Sequence, residues 1–479
     1  MIERAAYLPG LDQDALEWEL LDFATQERSI QVAVPVLSAA EVKVVTDHVR
    51  QQSQRTLKTY STVQIIEVID AAIARLLDRD DPYRRKMEDL LPVITGYDAE
   101  IVRLGLTRYL KTFRKPELLR FLAEDFSNPQ ILDGFQPLIK GGFGRAYGPD
   151  VLAHIWAGNV PGLPLWSLVS GLLVKAGNIG KTSSAEPLFA VWVAQVLAEV
   201  DPDLGECLAI MWWRGGTVGP ETALLGEADV ALGFGSSHTL NQIRLRTPVT
   251  TRFLAYGHKV SFSVISAPAL DAQKVASTAR LAVADIIRYD QQGCYAPQVM
   301  FVERNGAVSP ELFAQFVARE LSVGEHKHPR RKLDIAQQNS ISSWIFDEEI
   351  VSESCVISDS SGTWAVSFQG EDLTFQPGAL NRTIRIIAVD DIAQVPAIIR
   401  PFKLLLQTAG LAVPPDALYT LAAALGAAGV TRITALGDMT SPEAGWHHDG
   451  RFNLSDLVRI TEIEARLPPA ADKLAHYAD

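Results

Sequence analysis

The sequence has few cysteines and no long hydrophobic run. Its three cysteines, Cys207, Cys294 and Cys355, are too few and too odd in number for a disulfide framework, so we expect a reducing, cytoplasmic environment. The most apolar stretch, 160–176, is interrupted by two prolines and a lysine, and a membrane span needs about 20 apolar residues. The opening residues carry acidic side chains and no apolar segment, which argues against a secretory signal.

A concentrated basic face is also missing. The chain has 57 acidic and 44 basic side chains and a formal charge of −13, so nucleic acid is not an expected partner. Hydrophobic residues make up 47% and charged residues 21%, a mixture typical of folded globular proteins. At about 150 residues per domain, 479 residues correspond to two or three domains.

The order of apolar patterns predicts an α/β fold. The first 125 residues are expected to be mostly helical, with apolar residues three or four apart in 70–80 and 100–112. From residue 151, strand-like runs alternate with helical ones, which predicts a parallel sheet that binds ligands where its strands end. Predicted elements include a strand at 151–158, a helix at 163–177 capped by Gly177, and strands at 208–213 and 228–235.

A second α/β unit is predicted after a boundary near residue 265. Its elements are a strand at 259–266, a helix at 272–289 and a strand at 299–304. Cys294 lies between that helix and the following strand, where Gly293 would allow an abrupt turn. A cysteine held there as a thiolate could act as a nucleophile, whereas the alternative is a small buried hydrophobic residue. Both readings are open from position alone.

Two further segments carry polar groups near predicted strand ends. Asn159 could donate a hydrogen bond to a developing oxyanion, or satisfy a local turn. Lys181, with Ser183 and Ser184 close to a predicted helix start, could bind a nucleotide phosphate or ribose, or be a solvated lysine with an ordinary serine cap.

The remaining motifs are weaker. The run GFGSS at 233–237 could pass beneath a cofactor but lacks the full dinucleotide-binding spacing. His447, His448 and Asp449, like the histidines of the basic loop 326–332, lack a second cluster at zinc-like spacing, so we expect no metal site.

Six segments in this order resemble a known family. They are HIWAGNVPGLPLWSL, VKAGNIGKTSSAEP, ADVALGFGSSHTLNQIR, YGHKVSFSVI, DQQGCYAPQ and HHDGRFNLSDLVRI. From about residue 90 onward the chain resembles the acyl-CoA reductases typified by the LuxC subunit of bacterial bioluminescence, within the aldehyde dehydrogenase superfamily. The resemblance implies a Rossmann-like NADP-binding domain over 91–265, a catalytic domain over 266–440, and an oligomerisation arm over 441–479. The residues before it, 1–90, are expected from their own pattern to form a helical region.

The resemblance also implies roles for individual residues. Cys294 matches the nucleophile of the family, and Asn159 matches the asparagine of the oxyanion hole. Lys181 matches the lysine that contacts the adenosine ribose or its 2′-phosphate. Gly235 and Ser236 match the turn beneath the dinucleotide.

Two departures from the superfamily point to a reductase that uses NADPH. The segment AYGHKVSFS, with His258, lacks the glutamate that activates water in hydrolytic relatives, so an acyl-enzyme should survive until hydride arrives. Ser184 stands where NAD-preferring relatives have a glutamate, so no carboxylate repels a 2′-phosphate; Glu186, two residues on, would weaken this inference if the alignment slipped.

The expected function is therefore reduction of a fatty or other apolar acyl thioester to the aldehyde through an acyl-cysteine. The donor is acyl-CoA or an acyl-carrier protein, His258 either moves protons or is structural, and an acyl-transferring partner protein and a homo-oligomer are expected. The alternatives are oxidation of an aldehyde, reduction of an acyl phosphate, and a non-catalytic subunit that presents acyl groups.

Overall fold

The computed structural model describes residues 2–476, and its N-terminal part begins with a small sheet rather than a helix. The strands are β1 (Ile2–Arg4), β2 (Glu17–Ala24) and β3 (Ser29–Val36), in the order β1-β3-β2. The expected helical region over 1–90 therefore begins with three strands, and helices form only from Ala39 onward. The cause is the β-branched run of β3, whose side chains are buried against the helices that follow, while β2 alternates exposed and half-buried positions.

Five helices follow and cover the region between this sheet and the next. They are α1 (Ala39–Arg55), α2 (Thr62–Leu77), α3 (Pro82–Thr95), α4 (Ala99–Lys111) and α5 (Lys115–Asp125). The helix predicted at 100–112 corresponds to α4, and the pattern at 70–80 is the second half of α2. Helices α1 and α2 both begin with a serine capping box, which fixes their first turns.

A five-stranded parallel sheet confirms the predicted α/β alternation. Its order is β10-β9-β6-β7-β8. The strands are β6 (Val151–Ile155), β7 (Gly177–Thr182), β8 (Leu208–Trp212), β9 (Val230–Phe234) and β10 (Arg252–Tyr256). The helices are α6 (Leu163–Leu173), α7 (Phe189–Val200), α8 (Pro202–Gly205), α9 (Val218–Glu227) and α10 (Ser237–Arg246). Gly177 does not cap α6 as predicted but opens β7, because Lys175 takes the left-handed conformation that ends the helix.

A seven-stranded sheet forms the second α/β unit, in the order β13-β14-β15-β12-β11-β16-β17. Its strands are β11 (Val260–Ile265), β12 (Pro297–Glu303), β13 (Ser354–Ser358), β14 (Ala365–Gln369), β15 (Thr383–Val389), β16 (Leu406–Ala412) and β17 (Arg432–Ala435). The accompanying helices are α11 (Val275–Ile287), α12 (Pro310–Lys327), α13 (Ile335–Glu349), α14 (Val395–Ile399) and α15 (Pro415–Ala428). Since β11 already belongs to this sheet, the chain changes sheets between Tyr256 and Val260, ahead of the predicted boundary.

A fourth sheet, of three strands, joins the C-terminal segment to the segment before β6. It contains β4 (Gln136–Pro137), β5 (Phe143–Tyr147) and β18 (Arg459–Ile463), with β18 antiparallel to β5, and is followed by α16 (Leu467–Asp472). The predicted arm therefore draws on 136–147 as well as on the C-terminal segment. Within residues 2–476, no helix has the length and apolar character needed to cross a bilayer.

A strained turn carries the chain from α11 to β12. Tyr289, Asp290 and Gln291 have φ values of 52°, 47° and 62°, in the left-handed region. The turn was predicted at Gly293, whose φ is not in that region; a Cβ there would instead lie 2.4 Å from the ring of Tyr295. Gly293 is thus required by close packing, and the change of direction occurs before it.

Buried polar contacts hold this turn in place. The Arg382 guanidinium lies 2.7 Å from Asp290 and 2.7 Å from Glu325, and both Arg382 and Asp290 are almost completely buried. The side-chain amide of Gln291 donates to the carbonyl oxygens of Pro297 and Thr383. Because left-handed backbone at non-glycine residues costs free energy, the turn persists only while these contacts exist.

We expect Arg382→Met to lower the free energy of unfolding by about 3–5 kcal/mol, because it leaves the Asp290 carboxylate buried without its partner. Urea denaturation followed by circular dichroism measures this. Arg280→Met, which removes an arginine that is 70% exposed on α11, is the matched control and should change stability by less than about 1 kcal/mol. Equal stability of the two variants would contradict the role given to Arg382.

Candidate active site

A cavity of about 410 Å³ lies where the five-stranded and seven-stranded sheets meet. Loops at the carboxyl ends of strands form much of its wall, with α4 on one side. The predicted site residues that line it are Asn159, Gly235, Ser236, His258 and Cys294. Residues separated by up to 135 positions are thus brought together by parallel strands that end at a common edge.

Cys294 is partly exposed in this cavity. Its carbonyl oxygen accepts a hydrogen bond of 2.6 Å from Ser261 Oγ, which in turn accepts one of 3.0 Å from the Thr408 amide. These bonds tie the residue to β11 and β16, so its backbone position is set by two strands rather than by its own loop.

The environment of Cys294 favours the thiol over the thiolate. Burial and the negative charge of Asp449 raise its pKa to about 11, while hydrogen bonds from Gln407 and from the backbone at Cys294 and Tyr295 act in the opposite direction. Asp449 is held in place by a 2.7 Å hydrogen bond from Gln407 Nε2. The sequence analysis did not identify Gln407, since nothing near it in the sequence marks a site.

The side chain of Asn159 points across the cavity towards Cys294. Its Nδ2 donates a 2.6 Å hydrogen bond to the carbonyl oxygen of Gln292, two residues before the cysteine. The backbone carbonyl oxygen of Asn159 accepts a hydrogen bond of 2.7 Å from the Tyr97 hydroxyl. A side-chain amide has two N–H groups, so one remains for a further acceptor.

Gly235 and Ser236 connect β9 to α10. Ser236 caps this ten-residue helix, with its Oγ accepting from the Thr239 amide at 3.2 Å. The turn therefore presents the start of a helix to the cavity, an arrangement that attracts anionic groups.

Lys181, Ser183 and Ser184 do not line the cavity. Lys181 is the fifth residue of β7 and is 7% exposed. Its ammonium makes no hydrogen bond or ion pair within residues 2–476. Burial lowers its pKa, with an opposing contribution from Glu221. A buried cation without a close partner at a strand end fits an anionic ligand.

The alternative reading of this segment, an ordinary serine cap on the following helix, does not hold. Glu186 caps that helix instead, accepting hydrogen bonds of 2.9 and 2.8 Å from the Leu188 and Phe189 amides. Burial raises the pKa of its carboxyl to about 7. Ser184 Oγ accepts from the indole of Trp212, and Ser183 Oγ from a neighbouring amide.

Among the described residues that line the cavity there is no carboxylate, while three cations are present: Arg108, Lys259 and Arg288. His258 is exposed at the mouth and has no hydrogen bond within residues 2–476. The lining thus contains no acidic general base.

Aromatic rings from three of the segments quoted for the resemblance form another wall of the cavity, a role that the sequence analysis did not predict for them. Tyr256 stacks on His448 at 4.8 Å between centroids, and both contact Trp166 edge-on. Burial lowers the pKa of His448 to about 4, which keeps the imidazole neutral. No group of three or more potential ligands able to hold a metal ion is found in the part of the chain that the structure describes.

Comparison with known proteins gives a family match and a shared fold. The model of the LuxC acyl-CoA reductase family matches residues 57–460. The long-chain acyl-protein thioester reductase of Photorhabdus luminescens is 25% identical over 445 residues, covering 90% of this chain and 87% of the relative. The long-chain acyl-protein thioester reductase 2 of Photobacterium leiognathi is 23% identical over 442 residues, covering 91% and 88%.

Solved aldehyde dehydrogenases share the architecture. The aldehyde dehydrogenase KauB of Pseudomonas aeruginosa superimposes with a TM-score of 0.75 at 16% identity, over 97% of this chain and 96% of its own. The NADP-dependent glyceraldehyde-3-phosphate dehydrogenase of Bacillus halodurans C-125, complexed with NADP, gives 0.75 at 15% identity, over 97% and 100%. The predicted aldehyde dehydrogenase-like fold is confirmed.

Alkylation of Cys294 by iodoacetamide should accelerate about tenfold per pH unit between pH 7 and 10, because only the thiolate reacts and the pKa is near 11. Replacing Asp449 removes a negative charge that disfavours the thiolate. Asp449→Asn should therefore lower the pKa and speed alkylation at pH 8 by about tenfold, equivalent to one pKa unit.

Mass spectrometry of the Cys294 peptide measures these rates, with the exposed Cys355 as an internal reference. Asp416→Asn, which changes an exposed aspartate at the start of α15, is the matched charge control. Unchanged alkylation in Asp449→Asn would contradict the electrostatic account.

Proposed function

Because the chain belongs to the LuxC family of acyl-CoA reductases, we propose that it reduces an apolar acyl thioester to the aldehyde through an acyl-cysteine on Cys294, with NADPH as reductant. The observation that carries this proposal is the convergence of Cys294, Asn159 and the Gly235–Ser236 turn on one cavity. A cysteine alone would not specify a reaction, whereas a nucleophile, an amide donor and an anion-attracting helix start together fit acyl transfer followed by reduction.

In the first half-reaction the Cys294 thiolate attacks the thioester carbonyl. The free N–H of Asn159 and the backbone N–H of Cys294 stabilise the oxyanion, and the leaving thiolate departs with a proton. We assign that proton movement to His258, the exposed imidazole at the cavity mouth. Because the pKa of Cys294 is raised, the thiol must lose its proton as substrate binds. The imidazole of His258 is the group that we expect to accept this proton.

In the second half-reaction Cys294 retains the acyl group until it is reduced. When bound, NADPH supplies the hydride. Asn159 again stabilises the oxyanion, and the C–S bond then breaks to release the aldehyde and regenerate Cys294. The absence of a lining carboxylate supports this outcome over hydrolysis, because no acidic base is present to activate water. Oxidation of an aldehyde to an acid is therefore disfavoured.

Preference for NADPH rests on the surroundings of Lys181. Its buried, unpartnered ammonium suits a 2′-phosphate, with Ser183 and Ser184 supplying hydroxyls beside it. Glu186 is committed to capping α7, so the nearest carboxylate in sequence is not free to bind ribose hydroxyls. These contacts argue against the alternative that Glu186 replaces the glutamate of NAD-preferring enzymes.

The aromatic wall supports an apolar acyl chain, and we extend to this chain the acyl-protein thioester that the relatives' names describe. Acyl-CoA and acyl-carrier protein are the donors to compare, and an acyl-transferring protein is the expected partner. We expect a cytoplasmic homo-oligomer that uses the small sheet of β4, β5 and β18 as its arm.

Cys294→Ala should abolish aldehyde formation from acyl-CoA, and Asn159→Ala should lower kcat by about 10²–10³-fold through loss of one oxyanion donor. NADPH oxidation with the aldehyde trapped measures both. Cys355→Ala, which removes the exposed cysteine on β13, is the control and should retain activity. Full activity in Cys294→Ala would exclude the mechanism. If the wild type binds NADPH but reduces neither acyl-CoA nor acyl-carrier protein, the result would favour a non-catalytic subunit that presents acyl groups. Activity only on acyl phosphates would favour an acyl-phosphate reductase.

Lys181→Ala should raise KM for NADPH by about tenfold or more while changing that for NADH little, because a charged hydrogen bond contributes about 1.5–3 kcal/mol. Ser184→Glu should shift preference further towards NADH by adding a carboxylate. Initial rates with both cofactors test this, with Lys274→Ala, an exposed lysine, as control. An equal increase in KM for NADPH and NADH in Lys181→Ala would show that Lys181 does not contact the 2′-phosphate.

A further inference from the structure

A second cavity, of about 220 Å³, lies at the opposite edge of the five-stranded sheet. Its lining includes Asp150, just before β6, and Lys175, two residues before β7, so it sits where these strands begin. The cavity with Cys294 lies where the same strands end. The two sites are therefore separated by the length of the sheet.

Among the residues that the structure describes, four cations and one carboxylate line this second cavity. The cations are Lys58, Arg145, Lys175 and Arg459, and the carboxylate is Asp150. Two of the cations have partners within the protein. Lys175 lies 2.6 Å from Asp133, and Lys58 lies 3.7 Å from Asp150 and donates to two backbone carbonyl oxygens, those of Gly148 and Pro149.

The two arginines are different. Within residues 2–476 neither guanidinium forms an ion pair or a hydrogen bond, and the Nε of Arg145 is buried without an acceptor. They lie on paired strands, β5 and β18, and approach one aromatic ring: Arg145 is 4.8 Å and Arg459 is 5.9 Å from the centre of Tyr147. Two cations are thus held close together with no anion between them.

The positive charges around this cavity affect the ionisation of Lys58. Burial lowers the pKa of Lys58, and the charge of Arg459 adds to the decrease, although Asp150 and Asp229 oppose it. An anionic ligand would neutralise the positive charges around this cavity and would supply an acceptor for the buried Nε of Arg145. These are the features expected of an anion-binding site.

We propose that this cavity binds a phosphate group, either as inorganic phosphate or as a small phosphomonoester, between the guanidinium groups of Arg145 and Arg459. Lys58 and Lys175 provide additional positive potential behind them. An arginine fork matches the geometry of phosphate oxygens, and a volume of about 220 Å³ leaves room for a small organic group on the phosphate. A bound phosphate would connect the small sheet to the start of the five-stranded sheet. The site takes no part in the proposed reaction.

Isothermal titration calorimetry of the full chain with inorganic phosphate and with glycerol phosphate tests the proposal, with glycerol as the uncharged reference. Wild type should bind at least one phosphate compound, and Arg145→Gln and Arg459→Gln should each weaken binding by about tenfold or more, equivalent to 1.4 kcal/mol. Lys140→Gln removes an exposed cation near the same small sheet, outside the cavity, and should bind like wild type.

The comparison of the two ligands separates the sources of phosphate. Binding of both indicates that the phosphate group alone is recognised, and binding of glycerol phosphate only indicates a phosphomonoester. The proposal is overturned if neither binds, if the arginine variants bind as tightly as wild type, or if Lys181→Ala removes the binding instead. Should Arg145→Gln not fold, Arg459→Gln decides, because Arg459 is exposed and makes no hydrogen bond that folding would require.

Discussion

The buried ion pair between Asp290 and Arg382 is the contact on which the geometry of the Cys294 cavity depends. It fixes three consecutive left-handed residues, and these set the direction in which the chain enters β12. Without that turn, Gln292 would not lie under the Asn159 amide, and the loops from the two large sheets would not meet. The free energy cost of this left-handed turn is offset by Arg382, which immediately precedes β15 and lies more than 90 residues later in the chain.

Charge is distributed around the molecule in a way that fits its proposed chemistry. The overall charge is −13, yet the lining of the Cys294 cavity contains cations and no carboxylate. The nearby acid, Asp449, lies behind the cysteine and is held by Gln407, where it acts on the thiol through its charge. The Asp449 carboxylate thus lies where it raises the pKa of the Cys294 thiol, and it is not among the residues that line the cavity. The same cavity can accept anionic ligands and protect a thioester.

Much of the α/β framework could be predicted because apolar runs and helical periodicity are local. The strands predicted at 151–158, 208–213, 228–235, 259–266 and 299–304 correspond to β6, β8, β9, β11 and β12, whereas the edge strand β10 and the strands β14 to β16 were not predicted. The errors have specific physical causes. Strands β2 and β3 were missed because their burial is created by helices that follow. The alternative of a serine cap on α7 does not hold because the Glu186 carboxylate accepts from the first amides of that helix. Gln407 and the aromatic wall carry no local signal, since only the packing of distant strands gives them neighbours.

The sequence by itself determined the family resemblance, the candidate nucleophile and the absence of a carboxylate in the AYGHKVSFS segment, because these depend on residue identity and order. The tertiary structure decided which of those residues meet. Asn159 and Cys294 share a cavity while Lys181 lies outside its lining, and the pKa of Cys294 depends on Asp449, which is 155 residues away in the chain. It also decided that the Glu186 carboxylate accepts two backbone hydrogen bonds. Within residues 2–476 the guanidinium groups of Arg145 and Arg459 have no hydrogen bond or ion pair. Partners, burial and electrostatic environment are properties of the folded chain, since each arises between residues that the sequence keeps far apart.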